Sequence, residues 1–211
     1  LAQDRGKQAE ALRYAAFSLD QLDRDTEAVE TAREAARVAE SAQDSRGHSE
    51  SLRFIAYCFG KLKRHEEAVA IAMKAAQIAE QIQDRSEQIA ALQRATFSFG
   101  QMGRHEEAVT IGQKAVQLAK LDEDRREQVA TLRHIAFSLG ALQRHEEAVD
   151  AASEAAKLAE LAQDRREQAG ALRHAAFSLG ALGRHEQALA EALSGFRLAL
   201  SISHGRSICA T

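Results

Sequence analysis

The chain has no proline and no tryptophan, only two cysteines, and aromatic side chains at just 5% of its 211 residues. Each scarcity excludes something. Without proline, no helix is forced to kink or stop for want of an amide donor. Cys58 and Cys209 share no Cys-x-x-Cys spacing, which removes a disulfide framework and a cysteine-based zinc cluster. Lys and Arg number 28 against 31 Asp and Glu, a formal net charge of −3, so no basic surplus points to nucleic acid or an anionic membrane. No stretch approaches the ~20 apolar residues that span a bilayer, and none alternates apolar and polar residues over a strand's length. What is abundant is alanine, leucine, glutamate, glutamine and arginine, all good helix formers.

The second feature is recurrence. The stretch "AFSLGALQRHEEAV", Ala136 to Val149, returns forty residues later as "AFSLGALGRHEQAL" and stands earlier as "TFSFGQMGRHEEAV", "AYCFGKLKRHEEAV" and "AFSLDQLDRDTEAV". Five blocks, 1–40, 41–80, 81–120, 121–160 and 161–200, keep this register without insertion. Each block reads as two helices. In the fourth, Asp124 and Glu127 stand at the spacing of a capping box, repeated by Asp84 with Glu87 and Asp164 with Glu167. The first helix is expected to run to about Leu142. A break follows at "QRH", where Gly103 and Gly183 occupy the equivalent place in their own blocks. The second helix then runs from about His145 to about Leu161, with Glu146 and Glu147 complementing its dipole.

Leu132, Ile135, Ala136, Leu139 and Leu142 follow a core-facing stripe on the first helix, and Ala148, Val149, Ala152, Ala155 and Leu158 form one on the second. Three slots are small almost throughout: Ala16, Ala56, Thr96, Ala136, Ala176; Ala28, Ala68, Ala108, Ala148, Ala188; and Ala35, Ala75, Ala115, Ala155, Gly195. Small residues there let helices approach closely, so each block reads as an antiparallel hairpin. One hairpin cannot bury both stripes; stacking on its neighbour does.

The order Leu132, Ile135-Ala136, Leu139, a turn, "RHEEA" to Ala148 and then Ala155 resembles the tetratricopeptide repeat, across all five blocks. The interval is 40 rather than the family's usual 34 residues, and the closing proline is replaced by Glu40, Glu80, Lys120, Glu160 and Leu200, features of a longer-helix branch found in spindle-orientation adaptors and bacterial signalling proteins. HEAT repeats share the interval but kink the first helix at a proline that is absent here. The resemblance implies an all-α, right-handed α-α superhelix, a solenoid of five helix hairpins forming one domain over 1–200, with 201–211 a disordered tail. It implies an interaction module and not an enzyme, requiring no cofactor and no metal, with first helices lining a concave groove.

About 100° round each first helix from the core stripe lies a second side. It carries Arg13, Phe17 and Asp20; Arg53, Tyr57 and Gly60; Gln93, Phe97 and Gly100; Arg133, Phe137 and Gly140; Arg173, Phe177 and Gly180. Arginine pairs bidentately with carboxylate and a ring offers flat contact area, so this side suits a protein or peptide with acidic and apolar residues. Packing between repeats is the readier account of the rings, and groove contact that of the arginines. The slot before the ring changes most, Tyr14, Phe54, Arg94, His134 and His174; it is either a selectivity position or unconstrained surface.

His65, His105, His145 and His185 fail the two-histidine zinc spacing, because four residues on stand Val69, Val109, Val149 and Leu189. They are expected at the hairpin turn, in the slot that is tyrosine in most relatives. The ends differ from the middle, with Asp20, Asp23 and Asp25 in the first turn, and Phe196 and Leu200 on the last helix. Leu1 falls inside a repeat, so the chain reads as a piece of a longer protein, cytoplasmic in type. Rival roles are end-to-end stacking into homo-oligomers through the solenoid ends and service as the regulatory arm of a larger signalling protein.

Overall fold

The turns set the element lengths. At Gln43, Gln83 and Gln163 the backbone turns left-handed, with φ of 58°, 58° and 55°. The next residue, Asp44, Asp84 or Asp164, donates its amide to the carbonyl of Ala39, Ala79 or Ala159 at 2.9 Å. That six-to-one bond closes a Schellman motif, and the same aspartate caps the helix that follows. Asp44 accepts from the Gly47 amide at 2.9 Å, Asp84 from that of Glu87 at 3.1 Å and Asp164 from that of Glu167 at 3.0 Å. One three-residue turn therefore stops one helix and starts the next.

The computed structural model describes the backbone of residues 2–122 and 124–208 and the side chains of 4–122 and 124–202. Among the described residues there are ten helices and no strand: α1 (Ala2–Gln21), α2 (Asp25–Ser41), α3 (Ser45–Lys61), α4 (His65–Gln81), α5 (Arg85–Gln101), α6 (His105–Leu121), α7 (Arg125–Ala141), α8 (His145–Leu161), α9 (Arg165–Ala181) and α10 (His185–Ile208). Odd-numbered helices are the expected first helices and even-numbered ones the second. The helices α3, α5, α7 and α9 begin forty residues apart, as the sequence interval requires.

The residues group into two units, Leu1–Gly103 and Arg104–Thr211. In the first unit α1 to α5 pack each against the next, and in the second α6 to α10 do the same. Within each unit first helices also approach one another, α1 to α3, α3 to α5 and α7 to α9, whereas no two second helices bring Cα atoms within 8 Å among the described residues. Each unit therefore bends towards its first helices. The expected stripes form the interior: Leu132, Ile135, Ala136 and Leu139 are buried, as are Ala148, Ala152 and Ala155. So are the small slots of the first four blocks, where a larger side chain would hold neighbouring helices apart.

Two expectations change. The capping boxes form only on their aspartate side. The amide that Glu87 or Glu167 would have to bond is already spent on the preceding helix, so these glutamates turn elsewhere, as described below. The expected tail also departs at its start. With neither proline nor a left-handed residue to end it at the usual length, α10 continues to Ile208. Cys209–Thr211 lie outside the described residues.

Candidate interaction face of the first helices

The arginine slot builds a ladder of ion pairs between successive first helices. Arg53 Nε donates to both carboxylate oxygens of Glu87 at 2.9 Å, and Arg133 Nε donates to Glu167 at 2.8 Å. Arg13 lies 3.2 Å from Glu50 instead, because glycine, Gly47, stands where Glu87 and Glu167 stand. A Cβ at Gly47 would come within 2.7 Å of the Arg13 guanidinium, so the missing side chain is what lets this arginine through. Gly170 plays the same part for Arg133, whose Cδ would lie 3.1 Å from an added Cβ. Glu87 is buried, and that burial pushes its carboxyl up from the usual range against the opposing pull of Arg53. The charge of Arg13, Arg53 and Arg133 thus has an outlet inside the fold. Gln93 is buried, while Arg173 is exposed and holds no carboxylate among the described residues.

The rings form a second ladder. Phe137 meets His105 from the preceding repeat edge-on, with centroids 5.8 Å apart, and His174 from the following one at 6.1 Å. Phe97 takes His65 at 6.3 Å and Phe177 takes His145 at 6.4 Å. On the other side, Phe54 packs 6.5 Å from Phe17, and the Arg94 guanidinium lies 5.1 Å over the Tyr57 ring. His65, His105 and His145 therefore each support the next repeat's ring, and Phe54, Arg94 and His174 in the variable slot each support the previous one. At Phe54, Arg94 and His174 the slot is half of a packing pair, while Tyr14 stays exposed. That partnership could have been sought in the sequence as a recurring spacing of 32 residues from turn histidine to ring.

Packing does not use up the rings. Phe17, Phe137 and Phe177 remain 54%, 42% and 67% exposed, and Tyr14 67%; Tyr57, Phe97, His134 and His174 are half-buried. Between α7 and α9, Phe137, Gly140, His174, Phe177 and Ser178 line a small cavity of about 180 Å³. His174 is uncharged near neutrality: burial, then the nearby Arg173 and Arg133, push its pKa down to about 4.

Elsewhere the charged groups serve the fold. Lys61 gathers the acidic first turn, its Nζ lying 2.8 Å from Asp20 and 2.7 Å from Asp25, and these carboxylates hold its ammonium above the usual lysine range. Arg24, Arg64, Arg104 and Arg144 begin the second helices and each pairs with the glutamate three residues on. In the last repeat that glutamate is Gln187, and Arg184 reaches back to Glu146 at 2.6 Å. Cys58 is buried, with its thiol pushed up to about 12, so it carries no thiolate for chemistry. No helix among the described residues is long and apolar enough to cross a membrane.

Residues 50–82 match the tetratricopeptide repeat family. The structure of BtubC (BKLC) from P. vanneervenii shares the fold with a TM-score of 0.80 at 13% identity, over 96% of this chain and 89% of that one. A putative kinesin light chain with nearly identical tetratricopeptide-like repeats from Podosopora anserina gives 0.74 at 14% identity, over 93% and 97%. A signal transduction ATPase with numerous domains from Pyrococcus horikoshii, which has a tetratricopeptide repeat sensor, gives 0.75 at 18% identity; the chain covers 30% of it and is itself covered to 89%. No curated protein matches the chain. At these identities the likeness is one of fold: an all-α solenoid built from tetratricopeptide-like helix hairpins.

Proposed function

We propose that the chain is a protein-interaction module and not an enzyme, whose first-helix face takes a peptide or protein segment with acidic and apolar residues. The supporting observation is that each unit keeps rings partly exposed after packing, Phe17 in the first and Phe137 and Phe177 in the second, on the side towards which that unit bends. Rings already held by neighbouring rings, Phe17 by Phe54 and Phe137 and Phe177 by histidines, lose little freedom when a ligand arrives, which favours binding. Arg173 supplies an unspent guanidinium beside Phe177. The arginines locked to Glu50, Glu87 and Glu167 supply a fixed field rather than a free hand.

Selection from a library of displayed peptides tests this reading. Enriched sequences are expected to combine acidic and apolar residues, and to lose about ten-fold in affinity on Phe137→Ala or Phe177→Ala. Arg173→Ala is expected to weaken binding and flatten its salt dependence more than Arg133→Ala does. Enrichment that ignores all of these substitutions would remove the first-helix face from consideration. A second reading, service as a regulatory arm within a longer protein, draws support from the small share of the signal transduction ATPase that the shared fold occupies.

A further inference from the structure

Inside the second unit the first-helix face is indented. The cavity of about 180 Å³ between α7 and α9 has the rings of Phe137, His174 and Phe177 for walls and Ala136, Gly140 and Ser178, all buried, for a floor. A Cβ on Gly140 would stand 3.6 Å from the Ser178 hydroxyl and 3.9 Å from the Phe177 ring, which is ordinary contact. Neither crowding nor a left-handed backbone therefore requires this glycine, and glycine weakens a helix interior relative to alanine. What its missing side chain provides is room.

Phe137 is the wall whose supports both lie within the unit. His105 meets it edge-on from one side and His174 from the other, at 5.8 and 6.1 Å, and the ring still stays 42% exposed. In the equivalent slot of the first unit Arg94 lays its guanidinium 5.1 Å over the Tyr57 ring, and that ring is half-buried. His174 is shorter than an arginine and covers less of its ring. The exposure of Phe137 thus belongs to a repeat with neighbours before and after it.

We infer that this cavity is the anchoring subsite of the first-helix face, taking one large apolar side chain, of leucine or phenylalanine size, from a peptide that carries a carboxylate beside it. The inference rests on the peptide-binding reading and adds the point of anchorage. Volume sets the size of the occupant. A protein cavity of about 150 Å³ holds one benzene, so this one holds a single ring or branched aliphatic group. Aromatic walls set its apolar character, and the two histidines hold Phe137 in place before any ligand arrives. Charge sets its neighbour. Burial, then Arg173 and Arg133, keep the His174 ring uncharged near neutrality, so the cavity is neutral inside positive surroundings. A lysine side chain is repelled from it, whereas a carboxylate next to the anchor lies in a favourable field.

Titration of the 211-residue chain with capped peptides Gly-Glu-X-Glu-Gly, followed by nuclear magnetic resonance, reads the subsite. Leucine or phenylalanine at X is expected to bind about ten-fold more tightly than glycine, and lysine no more tightly than glycine. Gly140→Leu fills the cavity from its floor, and His174→Arg reproduces the arrangement over Tyr57. Each is expected to reduce the preference for leucine over glycine to about two-fold or less, with unchanged helical circular dichroism as the check on folding. A preference for large X that survives both substitutions overturns the subsite. Affinity that does not vary with X overturns it too, and the first-helix face then still stands if Phe177→Ala weakens binding. No measurable binding by the leucine and phenylalanine peptides also overturns the subsite; only failure of the library selection as well would remove the reading beneath it.

Discussion

At the scale of single residues, the turns carry a cost that the repeats share unequally. Among the described residues both kinds of turn hold a left-handed residue, and only Gly103 and Gly183 meet it with glycine, at φ of 76° and 75°. Lys63 and Gln143 occupy the same place at 59° and 60° with a Cβ that crowds the neighbouring carbonyl. Gln143→Gly is therefore expected to raise stability by about 0.5–1 kcal/mol, and Gly183→Ala to lower it by about 1 kcal/mol, in urea unfolding. Equal and opposite results would show that side-chain contacts rather than backbone conformation decide these turns. The glycines were legible as helix stops from the sequence. The glutamines were not, because nothing in a glutamine announces a positive φ; the position is imposed by the six-to-one bond behind it.

Between elements, α7 and α9 meet through Phe137 and His174, and this contact is sensitive to pH. The folded pKa of His174 lies at about 4 against 6.5 for an ordinary histidine. The unfolded chain therefore takes up a proton that the folded chain refuses. Stability is expected to fall as pH drops through 6.5, by at most about 3 kcal/mol from this residue and by less to the extent that solvent screens the half-buried ring, and to level off near 4. His174→Gln should flatten that part of the stability profile; a profile unchanged by the substitution would mean that the imidazole is charged in the fold. The helices, their capping aspartates and their buried stripes could all be read from spacing, because periodicity reports which side of a helix faces inward. The destinations of the polar side chains could not. Glu127, Glu167 and Glu87 looked like halves of capping boxes, yet the cap amide was already taken. The ladder from Arg53 to Glu87 joins residues 34 positions apart, a distance no local pattern displays. The rings stand out in the sequence, whereas nothing local ties them to histidines 32 residues earlier, which the pattern places only at the turn.

For the molecule as a whole, the account depends on each hairpin having its apolar side covered by the next, so that stability is supplied by neighbours. The helices α3, α4, α7 and α8 have packed helices on either side, whereas α1 and α10 each have one partner along the chain. Exposed Leu189, Leu193 and Phe196 on α10 show the same shortage. The most direct measurement is native-state amide hydrogen exchange, resolved helix by helix in dilute protein. Protection is predicted to be highest in α3–α4 and α7–α8 and lowest in α1 and α10. Protection that is uniform along the chain, or greatest in α1 and α10, would contradict an array held together by its neighbours.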